Sequence, residues 1–302
     1  MWTRRTLLAT ATAATLAPPG RARAAETPGV TATSIKIGNT NPHSGPASAY
    51  GAIANAEVAF FKMINDQGGV GGRSIDFISL DDAYSPPKTG EQTRKLVEQD
   101  GVAFLFNGLG TPTQTAVRAY LNARKIPQLF ISTGADKWAD PQHFPWTMGW
   151  QPSYRTEAII YAKYILKEKP DAKIGVLYQN DDFGKDYVQG LKDGLGTAYG
   201  KLVVKDVSYE TTDPTVDSQV VTLQSSGADV LVTAATPKWA AQTIRKVADL
   251  NWKPLHFLTN VSISVGAVLK PAGLENATGI ITSAYLKDPT DKRWDNDPGL
   301  QQ

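Results

Sequence analysis

The sequence predicts an α/β protein with two Rossmann-like lobes, each built on a parallel sheet with helices on both faces. Short apolar runs alternate with longer amphipathic runs from Ser34 to Leu258, at the lengths typical of βαβ units. This alternation is interrupted over Ser132–Gly149, a long stretch that holds two glycines and two prolines. One irregular stretch between two βα series is typical of a crossing between lobes, so we expect a hinge there.

The first series opens with a strand at Ser34–Gly38, followed by a loop rich in glycine, proline and serine. Tyr50–Asp66 is the first predicted helix, because its apolar side chains recur near a period of about 3.6 residues. Glycine-rich Gln67–Gly72 is predicted to be a turn. The same patterns place the later strands and helices of this series at Ile75–Leu80, Thr89–Gln99, Ala103–Phe106, Thr113–Arg124 and Leu129–Ile131.

The second series starts with a predicted helix at Ser153–Lys167 and ends with a strand at Leu255–Leu258. Between them lie segments of the same two kinds, at Lys173–Tyr178, Lys185–Leu195, Leu202–Tyr209, Thr215–Ser226, Val230–Thr233 and Lys238–Leu250. Thr282–Asp291 is polar and contains proline, which indicates a return crossing. We therefore expect a leader, two lobes and a return crossing at residues 1–25, 26–149, 150–280 and 281–302.

The leader has the pattern of a twin-arginine signal peptide. Arg4-Arg5 precedes a weakly apolar run from Leu7 to Ala17, and Ala22-Arg23-Ala24 supplies the small residues that a signal peptidase requires. As a helix that run would rise about 16 Å, roughly half of a hydrocarbon core, so a membrane anchor is the weaker alternative. No cysteine follows the leader, which excludes a lipoprotein anchor. We expect a soluble protein exported to the periplasm.

The composition excludes several classes of site and partner. Because the chain has no cysteine, disulfides, thiolate metal sites and cysteine nucleophiles are excluded together. The 31 basic and 29 acidic residues give a formal net charge of +2 without a basic stripe, so we expect no nucleic-acid partner. A chain of 302 residues exceeds one average domain and suits two lobes. We expect a monomer without a cofactor.

Residues that could form a catalytic or metal site are sparse. His43, His143 and His256 are far apart in the sequence and lie in no known catalytic motif. His256 lies in an apolar strand and is predicted to be a hydrogen-bonded core residue, whereas His43 lies in the first loop and could contact a ligand. Asp81-Asp82 and Asp181-Asp182 each follow a strand, where capping of the loop is favoured over metal binding. An exported α/β hydrolase is therefore disfavoured.

Polar loops follow several predicted strands at their carboxyl ends, where ligands bind in parallel α/β sheets. They include Asn41–Tyr50, Asn107–Thr113 and Ser132–Gly134. In the second loop Gly110 would let a ligand approach the backbone, and Thr111 could offer a hydroxyl group. A polar head group at the following helix N-terminus would gain about 0.3–1 kcal/mol. The hydroxyl residues could alternatively be helix caps, but their presence together at one sheet favours a binding cleft.

Short motifs follow one another along almost the whole chain after the leader: Ile35-Lys36-Ile37-Gly38, Ser44-Gly45-Pro46, Asn65-Asp66-Gln67-Gly68-Gly69-Val70-Gly71-Gly72, Asp81-Asp82, Gly108-Leu109-Gly110-Thr111-Pro112 and Asp182-Phe183-Gly184. In this order they resemble the periplasmic solute-binding proteins of the branched-chain-amino-acid type that serve ABC transporters. The resemblance implies the type I periplasmic-binding fold and a three-stranded hinge. It also implies delivery of a small-molecule ligand to an ABC permease in the inner membrane.

The resemblance also implies positions for the ligand. Family members that bind amino acids hold the ligand carboxylate with a Ser or Thr at the position of Thr111 and with the loop at Ser132–Ala135. Tyr50 matches the aromatic residue of the first loop, and Phe183 stands where a tyrosine often precedes glycine on the second lobe. We therefore expect the ligand to contact Tyr50, Tyr84, Gly110, Thr111, Ser132, Thr133, Gly134, Phe183, Thr236 and Asn260.

Two positions depart from the family pattern. Amino-acid binders place an acidic residue after the strand matching Leu255–Leu258 to pair the α-ammonium, whereas Thr259-Asn260-Val261 carries no charge. The segment that matches an aromatic pair is Ala235-Thr236. Since a buried ammonium without a counter-ion costs free energy, we expect a carboxylate without an ammonium, an aromatic acid or a neutral amide. Aromatic residues that could stack on it, or pack in the core instead, are Tyr50, Tyr84, Trp138 and Phe183.

The C-terminus is a third departure. The resemblance implies further helices that return to the second lobe after the last crossing, and this sequence ends at Gln302. We therefore expect a C-terminus that is shortened relative to the family, with part of an apolar face uncovered.

Together these expectations describe a binding protein without enzymatic activity. Thr111 and the Ser132 loop would dock the ligand on the first lobe, and the second lobe would rotate over it with Phe183 and Thr236. Such a closure is a hinge motion that the ligand biases by preferring the closed state. A ligand-sensing periplasmic receptor subunit of the same fold is the alternative.

Overall fold

Two parallel sheets organise the computed structural model, which describes residues 27–301. The first sheet has five strands in the order β2-β1-β3-β4-β5, with bounds Ser34–Asn41 (β1), Ser74–Asp81 (β2), Phe104–Phe106 (β3), Gln128–Ile131 (β4) and Thr147–Gly149 (β5). The second has four strands in the order β7-β6-β8-β9, with bounds Ile174–Gln179 (β6), Val203–Tyr209 (β7), Val230–Ala234 (β8) and Leu255–Leu258 (β9). The predicted signal peptide at residues 1–25 lies outside the described residues and stays a prediction.

Helices connect the strands within each lobe. Those of the first lobe are α1 (Gly51–Asp66), α2 (Pro86–Arg94) and α3 (Thr111–Ala123). Those that follow are α4 (Tyr154–Glu168), α5 (Asp182–Leu195), α6 (Tyr199–Leu202), α7 (Asp217–Ser225), α8 (Pro237–Asp249) and α9 (Lys270–Ala272). Every strand pairing is parallel, which confirms the predicted α/β class and the βα alternation.

The first strand is longer than predicted, because its polar end is part of the sheet. Asn39–Asn41, predicted to begin a loop, pairs in register with Ser79–Asp81 of β2. The side-chain amide of Asn39 donates to the carbonyl oxygens of Phe106, at 2.9 Å, and Asn107, at 3.1 Å. A buried polar residue in a strand is stable when it is hydrogen-bonded in this way, and hydrophobic patterning does not detect it.

The irregular stretch between the two series contains a strand that the sequence did not predict. Thr147–Gly149 forms β5 and pairs with β4 at the edge of the first sheet. Trp138, a candidate for stacking on the ligand, is buried in a short 3-10 helix of this stretch. Its ring packs against Arg118, whose guanidinium carbon lies 5.3 Å from the ring centroid. In this structure Trp138 therefore packs in the interior.

One connection between the two sheets lies within the described residues, and a second segment, which begins at Ile281, is predicted to return to the first lobe. The first follows β5 and ends where the Ser153 hydroxyl caps α4 by accepting from the backbone N–H of Thr156, at 3.1 Å. The second opens with Ile281, which forms a single parallel bridge with Phe257 of β9. Just beyond it, the Ser283 N–H donates to the hydroxyl of Tyr161 on α4, at 3.1 Å. Both segments are thus hydrogen-bonded to α4.

The core of the second lobe includes a close contact between α4 and α5. Gly190 of α5 is buried against α4, and a Cβ there would overlap the carbonyl oxygen of Arg155 and lie 2.7 Å from the Cβ of Ala158. The two helices can approach this closely because positions 190 and 194 of α5 have no side chain.

The predicted core histidine is buried in β9. His256 is 6% exposed, and its Nε2 lies 2.9 Å from the hydroxyl of Thr233 on the neighbouring strand. Burial lowers the pKa of His256 from 6.5 to about 4, since charging an imidazole without a counter-ion in the core is unfavourable.

Replacing Gly190 with alanine should destabilise the second lobe by about 2 kcal/mol, because the methyl group overpacks the contact between α4 and α5. Gly90→Ala is the matched control, since position 90 lies in α2 with only the Arg94 guanidinium near, at 3.9 Å. It should stabilise the protein by roughly 0.5–1 kcal/mol through helix propensity. Urea unfolding measures both variants, and equal effects of the two would contradict the packing described.

Replacing His256 with glutamine should flatten the dependence of stability on pH. A folded-state pKa of about 4 means that the unfolded chain binds the proton first, so this contribution to stability is complete above pH 6.5 and is lost as the pH falls towards 4. The free energy of unfolding of the wild type, relative to His256→Gln, should therefore fall by about 2–3 kcal/mol across that window. His143→Gln, at an exposed histidine, is the control. Parallel pH profiles for wild type and His256→Gln would refute this assignment.

Candidate ligand-binding cleft

A cavity of about 480 Å³ lies between the two lobes. This volume is within the range of pockets that hold small organic ligands, about 300–1,000 Å³. Eight of the ten predicted contact residues line it, namely Tyr50, Tyr84, Gly110, Thr111, Ser132, Phe183, Thr236 and Asn260. The loops after β1, β3 and β4 thus face the loops after β6, β8 and β9 across one space.

The N-terminus of α3 forms the wall of the cavity on the first lobe. Gly110 precedes the helix with φ at 101°, and a Cβ there would lie 2.5 Å from the ring of Tyr84. Glycine is therefore required both by the backbone conformation and by the space. Thr111 begins the helix, and its hydroxyl oxygen lies 2.5 Å from that of Thr133. The first-turn N–H groups of Thr111 and Thr113 have no intrahelical acceptor, as at any helix N-terminus.

Two of the predicted contact residues, Thr133 and Gly134, do not line the cavity. Thr133 is buried, and its hydroxyl pairs with Thr111 while accepting from the backbone N–H of Ala135, at 3.3 Å. The carbonyl oxygen of Gly134 accepts from the N–H of Tyr154, at 2.9 Å. Thr133 therefore positions the Thr111 hydroxyl, and Gly134 positions the first turn of α4.

Aromatic rings form the opposite side of the cavity. The ring of Phe183, at the start of α5, meets that of Tyr154 edge to face, with centroids 4.8 Å apart and an interplanar angle of 67°. Sequence reasoning missed Tyr154. This residue directly follows the Ser153 cap and is the first residue of α4, where the chain enters the second lobe. Burial raises the pKa of Tyr84 well above its usual value of 10.0, so its hydroxyl stays protonated and can donate to a ligand.

The second lobe presents a hydrogen-bonded polar cluster. The hydroxyls of Thr236 and Tyr209 both lie within reach of Gln179 Oε1, at 3.0 and 2.9 Å, and the N–H of Thr236 donates to the Tyr209 hydroxyl at 3.0 Å. Asp181 caps α5 by accepting from the N–H of Gly184, and burial raises the pKa of Asp181 to about 6. Thr236 thus lines the cavity as part of a fixed network.

Asn260 is held by an acid that sequence reasoning did not connect with the site. Glu157 of α4 is buried, and one of its carboxylate oxygens accepts from the backbone N–H of Asn260 at 2.9 Å. The other oxygen accepts from the side-chain amide of Asn260. The two residues are 103 positions apart, and no local motif joins them.

Direct contacts hold the lobes together around the cavity. The hydroxyl of Tyr50 donates to the carbonyl oxygen of Val261 at 3.0 Å. At another edge, the N–H of Asp136 donates to the carboxylate of Asp186 at 2.8 Å. Lys137 and Asp182 form a salt bridge of 2.7 Å there. The two lobes are therefore bonded directly to each other in this structure.

The segment predicted to be the return crossing contributes to the cavity. Ala284–Thr290 contributes to the lining, and within it Lys287 and Asp288 are the charged residues. Lys287 also forms an ion pair with Asp297. The contribution of this segment to the cavity was not predicted from the sequence, and its return to the first lobe stays a prediction.

Metal binding and a role for His43 in the cavity were the other possibilities raised by the sequence. No three His, Asp and Glu side chains of the described residues cluster closely enough to hold a metal ion. His43, a possible contact from the sequence, bonds instead to the hydroxyl of Ser79, at 2.8 Å, and does not line the cavity. Among residues 27–301 there is also no helix with the length and apolarity needed to cross a membrane.

Comparison with known proteins identifies the architecture. Residues 34–296 match the model of the periplasmic binding protein family. Leu/Ile/Val-binding protein homolog 1 of Brucella abortus is 27% identical over 269 residues, which are 86% of this chain and 68% of that protein.

Two solved structures share the fold at lower identity. A branched chain amino acid ABC transporter structure from Thermus thermophilus with bound valine has a TM-score of 0.77 and 17% identity, over 90% of this chain and 69% of that one. A fatty acid ABC transporter substrate-binding protein from Thermomonospora curvata has a TM-score of 0.73 and 22% identity, over 85% and 65%. At such identities these structures show the fold alone. With the family match over most of its length, the chain belongs to the periplasmic binding protein family and has the type I fold of that family.

Proposed function

We propose that this chain is a periplasmic solute-binding protein that captures a small organic acid or amide, amino-acid-like in size, and delivers it to an ABC permease. The observation that carries the proposal is the cavity between the lobes, into which the N-terminus of α3 opens through Gly110 and Thr111. The role needs no catalytic residues and no cofactor. We further propose that the protein acts as a soluble monomer that carries no lipid anchor and binds no nucleic acid.

The acid group of the ligand is proposed to bind at the N-terminus of α3. The first-turn N–H groups and the helix dipole favour an anion there, by about 0.3–1 kcal/mol in exposed sites and more when buried. The hydroxyls of Thr111 and Ser132 are the side-chain donors beside it. Apart from Lys287, no basic residue lines the cavity in the described chain, so neutral donors would carry most of the recognition.

The remainder of the ligand is proposed to lie among aromatic and aliphatic side chains. Tyr50, Tyr154 and Phe183 supply ring faces and edges, and Ile53 and Val265 supply aliphatic surface. One family neighbour holds valine and another is described as serving fatty acids, so the fold accommodates apolar tails of different lengths. The aromatic lining here favours a branched or aromatic tail over a long flexible chain.

We propose that closure of the two lobes over the ligand serves delivery to a permease. A ligand-sensing receptor subunit of the same fold is the second candidate. Both roles use the same closed form, in which Tyr50 reaches Val261 across the cleft. Genes for an ATPase and two permeases beside this one would favour transport. A signalling partner encoded there would favour a receptor subunit.

Replacing Thr111 with valine should weaken ligand binding about tenfold, because one hydrogen bond to a charged head group is lost. The control is Thr115→Val, in the same helix, where the hydroxyl donates to the Thr111 carbonyl at 2.6 Å and does not line the cavity. Calorimetric titration with aliphatic and aromatic carboxylates and amides measures both variants. Equal losses, or loss with Thr115→Val alone, would contradict the proposed head-group site.

Replacing Tyr50 with phenylalanine should speed ligand dissociation about fivefold, since the closed form loses its hydrogen bond to Val261, worth about 1 kcal/mol. The ring and its contacts with the ligand stay in place. Tyr120→Phe removes a hydroxyl that bonds to Glu98 on the surface of the first lobe, and should leave the rate unchanged. Stopped-flow measurement of dissociation tests the pair. An unchanged rate for Tyr50→Phe would show that this contact does not stabilise the closed form.

A further inference from the structure

Gln151 is a polar residue of the cavity that lies in the connection between the two lobes. It follows β5 and precedes α4, and its half-buried side chain lines the cavity. It was not among the contact residues expected from the sequence. A side-chain amide has both donors and an acceptor, so a residue in such a connection can bond to both lobes at once.

The side-chain amide of Gln151 bridges the two lobes. Its Nε2 donates to the hydroxyl oxygen of Ser132, in the loop after β4, at 3.3 Å. Its Oε1 accepts from the hydroxyl of Tyr154, the first residue of α4, at 3.2 Å. Ser132 and Tyr154 are both buried, and both line the cavity. A chain of hydrogen bonds therefore runs from the second lobe through the connection to the first lobe.

Neighbouring groups support this direction of the chain. Burial raises the pKa of Tyr285, and a hydrogen bond from Gln151 lowers it. A hydrogen bond lowers the pKa of a phenol when the phenol oxygen accepts it, so the Nε2 end of the amide faces Tyr285 as well as Ser132. Burial likewise raises the pKa of Tyr154, and a hydrogen bond from the backbone of Gly134 lowers it. The Tyr154 oxygen thus accepts there, which leaves its hydrogen for Oε1 of Gln151.

This direction determines how Ser132 can meet a ligand. Its oxygen accepts from Gln151, and no group among residues 27–301 accepts from its hydroxyl within hydrogen-bond distance. The Ser132 hydrogen is therefore available to an oxygen of a ligand in the cavity. Linked hydrogen bonds polarise one another, so Ser132 is a stronger donor when Gln151 donates to it. An amide turned the other way would accept from Ser132 and withdraw that hydrogen from the ligand.

We propose that Gln151 is a positioning residue, which turns the Ser132 hydroxyl towards an acceptor oxygen of the ligand and links the bound ligand to α4. It acts through Ser132 and makes this point of the cavity selective for a head group that presents a lone pair. The inference rests on the proposed function, because it presupposes a ligand in this cavity. It adds a residue of the connection to the site and a physical link between the two lobes.

The test is a double-mutant cycle between positions 151 and 132, measured by calorimetric titration. The probes are 4-methylpentanoate and 3-phenylpropanoate, each with its primary amide, and the tightest binder is carried through the cycle. Gln151→Met keeps the length of the side chain without its polar atoms, and it should weaken binding about fivefold when Ser132 is present. In the Ser132→Ala background the same change should alter affinity by less than about twofold, since no hydroxyl remains to be positioned.

The cycle separates positioning from two other roles. A residue that only holds the connection in place would weaken binding equally in both backgrounds, and so would an amide that contacts the ligand directly. Equal losses would therefore overturn this inference and leave the proposed function standing. Gln189→Met, at an exposed glutamine of α5 that bonds to Asp193, is the matched control and should leave the affinity unchanged. If none of the four probes binds the wild type, the proposed ligand class and this inference are both wrong.

A second cycle approaches the same chain from α4 and does not require Gln151→Met to fold. Tyr154→Phe removes the hydroxyl that donates to Gln151 and keeps the ring that packs against Phe183. It should weaken binding about twofold when Ser132 is present and have no effect in the Ser132→Ala background. Additive losses from Tyr154→Phe and Ser132→Ala would contradict the link between the ligand and α4.

Discussion

Because all strands of both sheets run parallel, the loops that follow them lie at the carboxyl edge of each sheet. Those edges face one another, and the cavity is the space between them. This geometry brings together residues that are far apart in sequence, such as Thr111 and Asn260. It also points the N-terminus of α3 into the cavity, where unpaired N–H groups and the helix dipole are available to a ligand. This arrangement supports the proposed recognition of the ligand by neutral donors.

Pairing of buried polar groups is the second requirement of the cleft. Thr111 is paired with Thr133, Thr236 with Gln179, and Asn260 with Glu157. Each pair fixes the direction in which a donor or acceptor faces the cavity, and each would be costly to break because an unpaired buried group loses about 1–3 kcal/mol. The polar lining is therefore organised before the ligand binds, which reduces the entropy cost of binding.

Much of this site could be predicted from the sequence, because its residues belong to loops between clearly patterned strands and helices. Gly110, Thr111 and Ser132 follow strands, and Phe183 opens a helix. The residues that were missed depend on the tertiary structure. Glu157 meets Asn260 only after α4 packs beneath β9, and hydrophobic patterning of α4 does not distinguish a buried glutamate from an exposed one. The strand β5 is only three residues long, too short for a period of two to be recognised.

The most direct test of the account is native mass spectrometry of the purified protein after incubation with a small-molecule extract of its host, with identification of the compound that is released on unfolding. The account predicts one small molecule per chain, carrying a carboxylate or an amide head group. A protein that stays free of ligand, a stoichiometry above one, or a released compound with neither group would contradict it.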